Sequence, residues 1–223
     1  MWKRRIIIVD DHPLFRSALR QTLTGGDAAI VVEEAGDLAG LNVALEADRD
    51  CDLVLLDLNM PGVRGFSGLL LLRAQYPEVP VMIISAVEDG VTIRRALELG
   101  ALGYLRKSAG PADIRHAIDT VLAGNVFMPE GAGLAGDDEA SALLRRLASL
   151  TPQQVRVLMM LSDGLMNKQI AYELSISEAT VKAHVSAILQ KLDVDSRTQA
   201  VIAAAKVEEG RFEALLAPGR DGA

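Results

Sequence analysis

The residues most able to do chemistry stand at the ends of apolar runs. Asp10 and Asp11 follow RIIIV, Asp57 closes LVLL, Ser85 follows VMII, and Lys107 lies just past GYL. Three carboxylates gathered in one crevice repel one another, so a hard divalent cation is their natural counter-charge. Mg2+ suits such a place, because it takes oxygen ligands from one or two carboxylates, waters and a phosphate. A carboxylate can also accept a phosphoryl group as an aspartyl-phosphate. A metal, a lysine and a small hydroxyl then neutralise the equatorial oxygens. Each residue alone has a plainer reading: Asp57 as a loop aspartate, Lys107 as a surface charge, Asp10 and Asp11 as caps for a helix near Pro13. The set, five residues of the required kinds at four strand ends, favours a phosphate- or metal-binding crevice.

Positioning them requires a sheet. The candidate strands are Arg5–Val9, Ile30–Glu34, Leu53–Leu56, Val81–Ile84 and Gly103–Leu105. Their near-continuous apolar character suits strands covered on both faces, as in a parallel sheet. Amphipathic stretches alternate with them: Pro13–Leu23, Leu38–Ala47, Gly65–Gln75, Gly90–Leu99 and Ala112–Leu122. This alternation predicts an α/β fold, a doubly wound, flavodoxin-like five-stranded parallel sheet. In such a sheet ligands bind outside the carboxyl ends of the strands.

Residues 124–140 shift to Gly, Asp and Glu without periodicity and are expected to form a flexible linker, with Ala140–Leu150 a short helix closing it. From Thr151 the pattern is helical: Pro152–Ser162, Asn167–Leu174, Glu178–Lys191 and Arg197–Lys206. The expected organisation is 1–123 for the α/β domain, 124–148 for the linker, 149–207 for a small all-α helix-turn-helix domain, and 208–223 for a tail. Net charge is −7. The segment 149–207, however, carries six basic against five acidic side chains, which permits nucleic-acid binding without demonstrating it. Along Glu178–Lys191 an apolar stripe of Val181, Val185, Ile188, Leu189 and Leu192 faces a core. Lys182, Ala183 and Ser186 lie opposite, with Lys191 near the end. A helix with such a face can enter a major groove about 12 Å wide. Thr180, Asn167 and Lys168 could hold the phosphate backbone. A plain helical bundle with solvated charges fits the same pattern.

The stretches IIIVDDHPLFR, DLVLLDLNMPG, VMIISA and GALGYLRKS resemble the receiver domain of two-component response regulators over residues 4–122. The resemblance implies that Asp57 is the phosphoacceptor. Asp11, Asp57 and the backbone carbonyl of Asn59 would bind Mg2+, with Asp10 contributing through water. Lys107 would pair with the phosphoryl group. Ser85 would be the switch hydroxyl and Tyr104 the aromatic that turns inward when Ser85 moves. The Met60-Pro61-Gly62 turn would shape the loop after Asp57.

The run NKQIAYELSISEATVKAHVSAILQKL, within 150–201, resembles a LuxR-type helix-turn-helix, and the whole chain is similar to the NarL/FixJ class. This implies that Glu178–Leu192 is the recognition helix. The implied partners are a sensor histidine kinase, double-stranded promoter DNA, RNA polymerase as a candidate, and a second copy of the chain in a homodimer once phosphorylated. Gln153-Gln154 and Ser186 depart from residues common in the class. The implied function is a phosphorylation-switched transcriptional regulator that catalyses only its own phosphoryl acceptance and hydrolysis. Two other functions compete: a phosphatase working through an aspartyl-phosphate, and a regulator independent of phosphorylation or an interaction protein that has lost one output. No apolar run approaches the ~20 residues a membrane span needs, and the N-terminus lacks the apolar region of a signal peptide. A cytoplasmic protein that needs no membrane is expected. The single cysteine, Cys51, is expected to be a small core residue. His184 has no second ligand at metal spacing.

Overall fold

A computed structural model describes residues 3–25, 29–61, 63, 65–130 and 139–209. The element order is β1 (Arg4–Val9), α1 (Pro13–Thr24), β2 (Ile30–Ala35), α2 (Leu38–Ala47), β3 (Leu53–Asp57), α3 (Ser67–Gln75), β4 (Val81–Ser85), α4 (Gly90–Glu98), β5 (Gly103–Arg106) and α5 (Pro111–Leu122). Then follow α6 (Glu139–Ala148), α7 (Pro152–Ser162), α8 (Asn167–Glu173), α9 (Glu178–Leu192) and α10 (Arg197–Glu209). The five strands form one parallel sheet in the order β2-β1-β3-β4-β5.

The alternation of side chains along β1 divides the apolar interior in two. Ile7 and Val9 face Leu41 and Leu45 of α2, Leu69 of α3 and Ile93 of α4. Ile6 and Ile8 face Leu19 and Leu23 of α1 and Ile114 and Ile118 of α5. The sheet is therefore covered on both faces, which explains why its strands lack an apolar-polar alternation. Each such side chain, fully buried, contributes roughly 1.5–3 kcal/mol. Local signals start the helices. Asp37 accepts from the Gly40 amide and Asp89 from the Thr92 amide, and Pro13 and Pro111 open α1 and α5. Helix α3 begins at Ser67, not at the predicted Gly65, because Gly65 sits at φ 53° and cannot be part of a right-handed helix.

Arg5 staples the end of the sheet remote from the carboxylates. Its guanidinium bonds both oxygens of Glu33 at 2.7 and 2.8 Å and the carbonyls of Ala44 and Asp48. The bond from Arg5 holds the Glu33 carboxyl below its ordinary value of 4.5. A depressed carboxyl stabilises the fold above that value, and this contribution is lost as pH falls through the folded-state pKa. Glu33→Gln should therefore flatten the loss of stability below about pH 4.5, read as the urea midpoint across pH; an unchanged acid limb would refute the pairing. Cys51 is buried, and burial pushes its thiol up to about 11. The native protein should react with a thiol reagent at neutral pH far more slowly than the urea-unfolded chain, and equal rates would contradict this environment.

The first residues of the predicted linker are not free chain. Phe127 forms a parallel bridge with Gly103; its amide donates to Leu102 at 3.0 Å, and the Tyr104 amide donates to its carbonyl at 3.1 Å. Arg106 donates to the Glu130 carbonyl at 2.7 Å, and the Phe127 ring meets His116 edge-on. The edge of β5 leaves backbone groups to be satisfied, and Val126-Phe127-Met128 is the apolar signal that supplies the partner. Residues 131–138 and the predicted tail beyond residue 209 lie outside the described residues.

The helices from α6 onward extend the apolar cluster of the α2–α4 face with Val155 and Leu158 of α7, Ile170 of α8, Val181, Ile188 and Leu192 of α9, and Ala200, Ala203 and Ala204 of α10. Val185 and Leu189 pack half-buried against it, so all five residues of the predicted stripe face inward. Thr151 caps α7 in a capping box with Gln154. The α8–α9 turn passes through Ser175 at φ 53°, and Ser177 caps α9 by accepting from the Thr180 amide. This helical part rests on α3 and α4. Arg156 of α7 donates to Gln75 of α3 at 3.0 Å, and Ser141 of α6 donates to Glu98 of α4 at 3.0 Å.

Candidate phosphoacceptor and nucleic-acid-binding sites

Strand register explains why residues far apart in sequence meet. Val9 pairs with Leu56, so Asp10, one step beyond β1, lies beside Asp57 at the end of β3. Asp57 pairs with Ile84, and Ser85 pairs with Arg106. Ser85 and Lys107 are thus each one step further along their neighbours' lines. With strands about 4.8 Å apart, side chains leaving these ends converge on one rim. Lys107 spans it: its ammonium stands 2.6 Å from Asp10 Oδ2 and 2.8 Å from Asp57 Oδ2. Asp57 Oδ1 accepts from the Asn59 amide at 3.3 Å. A pocket at this rim is lined by Asp57, Lys107, Asn59, Ala86, His12 and Phe15.

Burial sets the electrostatics. Asp10 and Asp57 are each 1% exposed. Burial pushes the Asp57 carboxyl above its ordinary value, against the opposing pull of Lys107 and the Asn59 amide. Burial opposes the charge on Lys107 too, but its bonds to Asp10 and Asp57 outweigh that and hold its pKa above the ordinary value. One ammonium thus serves two buried carboxylates, and Asp11 adds a third acid.

The acids fit a cation. Single ligand atoms of Asp10, Asp11, His12 and Asp57 all lie within 4.8 Å of one another. Asp10 Oδ2, 2.6 Å from the Lys107 ammonium, and Asp11 Oδ1, 2.8 Å from His12 Nδ1, are shielded from solvent and meet no further donor among the described residues. Buried carboxylates short of donors are costly unless a cation meets them. Hard oxygen donors in this number match Mg2+.

Ser85 is fully buried, its hydroxyl accepting from the Val87 amide at 3.2 Å. Tyr104, expected to be the aromatic that turns inward when Ser85 moves, lies inward in this structure. Its ring is already wholly buried and its hydroxyl donates to the Val87 carbonyl at 2.7 Å. Burial pushes the phenol up to about 12, with Ser85 bonding against that shift. Two residues near the pocket were not singled out from sequence. His12 Nδ1 lies 2.8 Å from Asp11 and 3.1 Å from Asp10, and the Phe15 ring lies 5.0 Å from the Lys107 ammonium. Both sit in DDHPLFR directly after the acids, and that adjacency was the available signal.

On α9, Lys182, Ala183 and Ser186 are exposed together with Thr180, as the spacing predicts. Lys182 pairs with Glu178, one turn earlier, at 3.1 Å. Such an exposed pair is worth about 0.3–0.5 kcal/mol and is readily given up to a phosphate. Lys168 is exposed at the start of α8. Two predicted contacts are engaged inside the protein. The Lys191 ammonium bonds the Ser149 carbonyl at 2.7 Å and Gln154 at 2.9 Å, and Asn167 accepts from Arg197 at 3.2 Å. Gln154, noted from sequence only as a departure, is what draws Lys191 inward.

A five-stranded parallel α/β domain with an acid rim, joined to a helix-turn-helix, defines a class: a receiver carrying a DNA-binding output domain. Comparison with known families agrees. Residues 6–119 match the response regulator receiver domain, and residues 148–204 match the bacterial regulatory proteins of the luxR family. The chain belongs to the response regulators with a LuxR-type output domain, a family of DNA-binding transcriptional regulators. It is 42% identical over 213 residues to a glycerol metabolism activator of Pseudomonas putida, covering 92% of this chain and 96% of that protein. It is 34% identical over 201 residues to the nitrate/nitrite response regulator protein NarL of Escherichia coli K12, covering 88% and 93% respectively. Among solved structures, one of RcsB dimers bound to two parallel DNAs superposes with a TM-score of 0.55 at 23% identity. It covers 92% of this chain and 99% of that one, a likeness of fold.

Proposed function

We propose that this protein is a phosphorylation-switched transcriptional regulator, with a receiver over 1–123, a linker over 124–148 and a DNA-binding domain over 149–207. The observation that carries this reading is the single rim on which register gathers Asp10, Asp57, Ser85 and Lys107. A sensor histidine kinase supplies the phosphoryl group. An Asp57 carboxylate oxygen attacks phosphorus, the new P–O bond forms as the donor's P–N bond breaks, and the imidazole leaves with the electron pair. Lys107 turns from its carboxylates to the added charge, and the Ser85 hydroxyl bonds a phosphoryl oxygen. Asp11, Asp57 and the Asn59 backbone carbonyl, with Asp10 beside them, would hold Mg2+, which would supply positive charge to the phosphoryl oxygens. Hydrolysis of the acyl phosphate resets the site.

The switch then runs through the neighbours of Ser85. Drawing Ser85 forward disturbs its bond with the Val87 amide, and Val87 in turn anchors the Tyr104 hydroxyl. The β4–α4 loop and α4 answer to both, and α4 supports α6 through Glu98 and Ser141. Release of the helical domain frees it to pair with a second copy and to read two half-sites with Lys182, Ala183 and Ser186, backed by Lys168 and Thr180 on phosphates. RNA polymerase is a candidate partner on the promoter. No described helix is long and apolar enough to cross a membrane; a cytoplasmic location fits the proposed partners. Selection of binding sites from a random duplex library by the full chain tests the output. Enrichment of a sequence with two related half-sites is expected, and no enrichment with phosphorylated protein would remove the DNA output.

A further inference from the structure

We infer that Arg16 of α1 is a positioning residue for phosphoryl acceptance, fixing the main chain of Asp10 so that the acid rim keeps its geometry. The inference rests on the reading of that rim as a phosphoacceptor site. Asp10 is the point where β1 stops pairing. Its amide still donates to the Ala35 carbonyl of β2 at 3.2 Å. Its carbonyl has left the ladder and instead accepts from the Arg16 guanidinium at 2.5 Å. The same guanidinium is held at 3.2 Å by Glu34 of β2, and Glu34 also pairs with Arg20. Arg16 is 17% exposed and Glu34 26%, so both partners are partly shielded from water. The Asp10 peptide is thus gripped on both sides by β2, directly at its amide and through Arg16 at its carbonyl.

The consequence reaches the carboxylates. Asp10 Oδ1 accepts from the His12 amide at 2.8 Å and Oδ2 meets Lys107, so the side chain's aim depends on where its peptide sits. Asp11 follows in the same turn. A planar guanidinium can hold Glu34 and the carbonyl at once through separate nitrogens, which a lysine ammonium on a flexible stem does less well. Without Arg16 a buried carbonyl loses its donor and the turn is free to move. Displacements of about 1 Å at such sites can cost on the order of a hundredfold in rate.

A purely electrostatic role predicts the opposite sign, since removing a cation near three carboxylates should tighten Mg2+ binding. The experiment measures the Mg2+ dissociation constant by calorimetry, the rate of Asp57 phosphorylation from a small phosphodonor, and the thermal midpoint, for the full-length wild type, Arg16→Ala and Arg16→Lys. Expected is a Kd for Mg2+ raised about three- to tenfold in Arg16→Ala, a comparable fall in rate at subsaturating metal, and partial recovery in Arg16→Lys. Tighter Mg2+ binding in Arg16→Ala would overturn positioning in favour of charge. A lowered thermal midpoint with unchanged Kd and rate would reduce Arg16 to a structural brace and overturn it as well. If Arg16→Ala does not fold, Glu34→Gln, which leaves the guanidinium in place but untethered, must show the same weakening. If the wild type itself neither binds Mg2+ nor takes phosphate, the phosphoacceptor reading falls, and that outcome is distinct from the others.

Discussion

Asp57→Asn is expected to take no label from a small phosphodonor under conditions where the wild type is fully labelled. An amide has no anionic oxygen to attack phosphorus, so the loss is of the reaction itself and not of a fraction of its rate. Asp10 and Asp11 are not substitutes. Asp57 alone closes a central strand, accepts from both Lys107 and the Asn59 amide, and lines the pocket. The substitution should also stabilise the metal-free protein. Burial raises the Asp57 carboxyl, so the folded state binds its proton more tightly than the unfolded chain does. Stability tied to that proton is fully present below the ordinary value of 3.8 and is lost as pH rises through the folded-state pKa. Neutral Asn removes this penalty while keeping an oxygen for Lys107. A higher thermal midpoint at pH 7, together with absent labelling, is the expected pair of results; persistent labelling would take Asp57 out of its role.

Ile188→Ala should separate the two halves of the protein. Ile188 is fully buried at the centre of α9, between Val181 and Leu192, in a helical core that draws only a few large side chains from each helix. Removing its side chain should cost about 2–5 kcal/mol, because a small domain has little with which to fill the cavity. Domains of this size are stable by only about 5–15 kcal/mol in total. The recognition face would then be presented by a helix without fixed support. DNA binding should fall at least tenfold, a figure equivalent to about 1.4 kcal/mol, while labelling at Asp57 stays near wild type. Mobility shifts and phosphodonor labelling on the same preparation read both. Intact DNA binding with a lost core side chain would mean that α9 is not the reading element.

Much of the α/β half was legible because its chemistry is local. Apolar β-branched runs ending in Asp, Ser or Lys mark both the strands and the rim, and four of the five strands end one residue beyond expectation because the next residue, Ala35, Asp57, Ser85 or Arg106, still pairs. What sequence could not show is pairing across distance. That Lys107 would meet Asp10 as well as Asp57, or that Arg16 would reach back to the Asp10 carbonyl, depends on sheet order and register. The linker was misjudged at its start because Gly and Asp dominate its composition, whereas Val126-Phe127-Met128 is what the β5 edge accepts. Lys191 shows the limit of reading a helix face alone. Its charge suited DNA, but Ser149 and Gln154, from a neighbouring turn and helix, claim it first. The exposed set Lys182, Ala183 and Ser186 needed no such information, since the apolar stripe fixes the opposite side.

In the proposed switch, charge added at Asp57 is read out as DNA affinity. Its most direct test is the dissociation constant of the full chain for its selected duplex at fixed salt, with and without beryllofluoride and Mg2+, for the wild type and Asp57→Asn. Salt must be fixed because phosphate contacts make such affinities steeply salt-dependent. Binding at least tenfold tighter is expected for the wild type with beryllofluoride, with no response in Asp57→Asn. Equal affinity with and without the phosphoryl mimic in the wild type would contradict it.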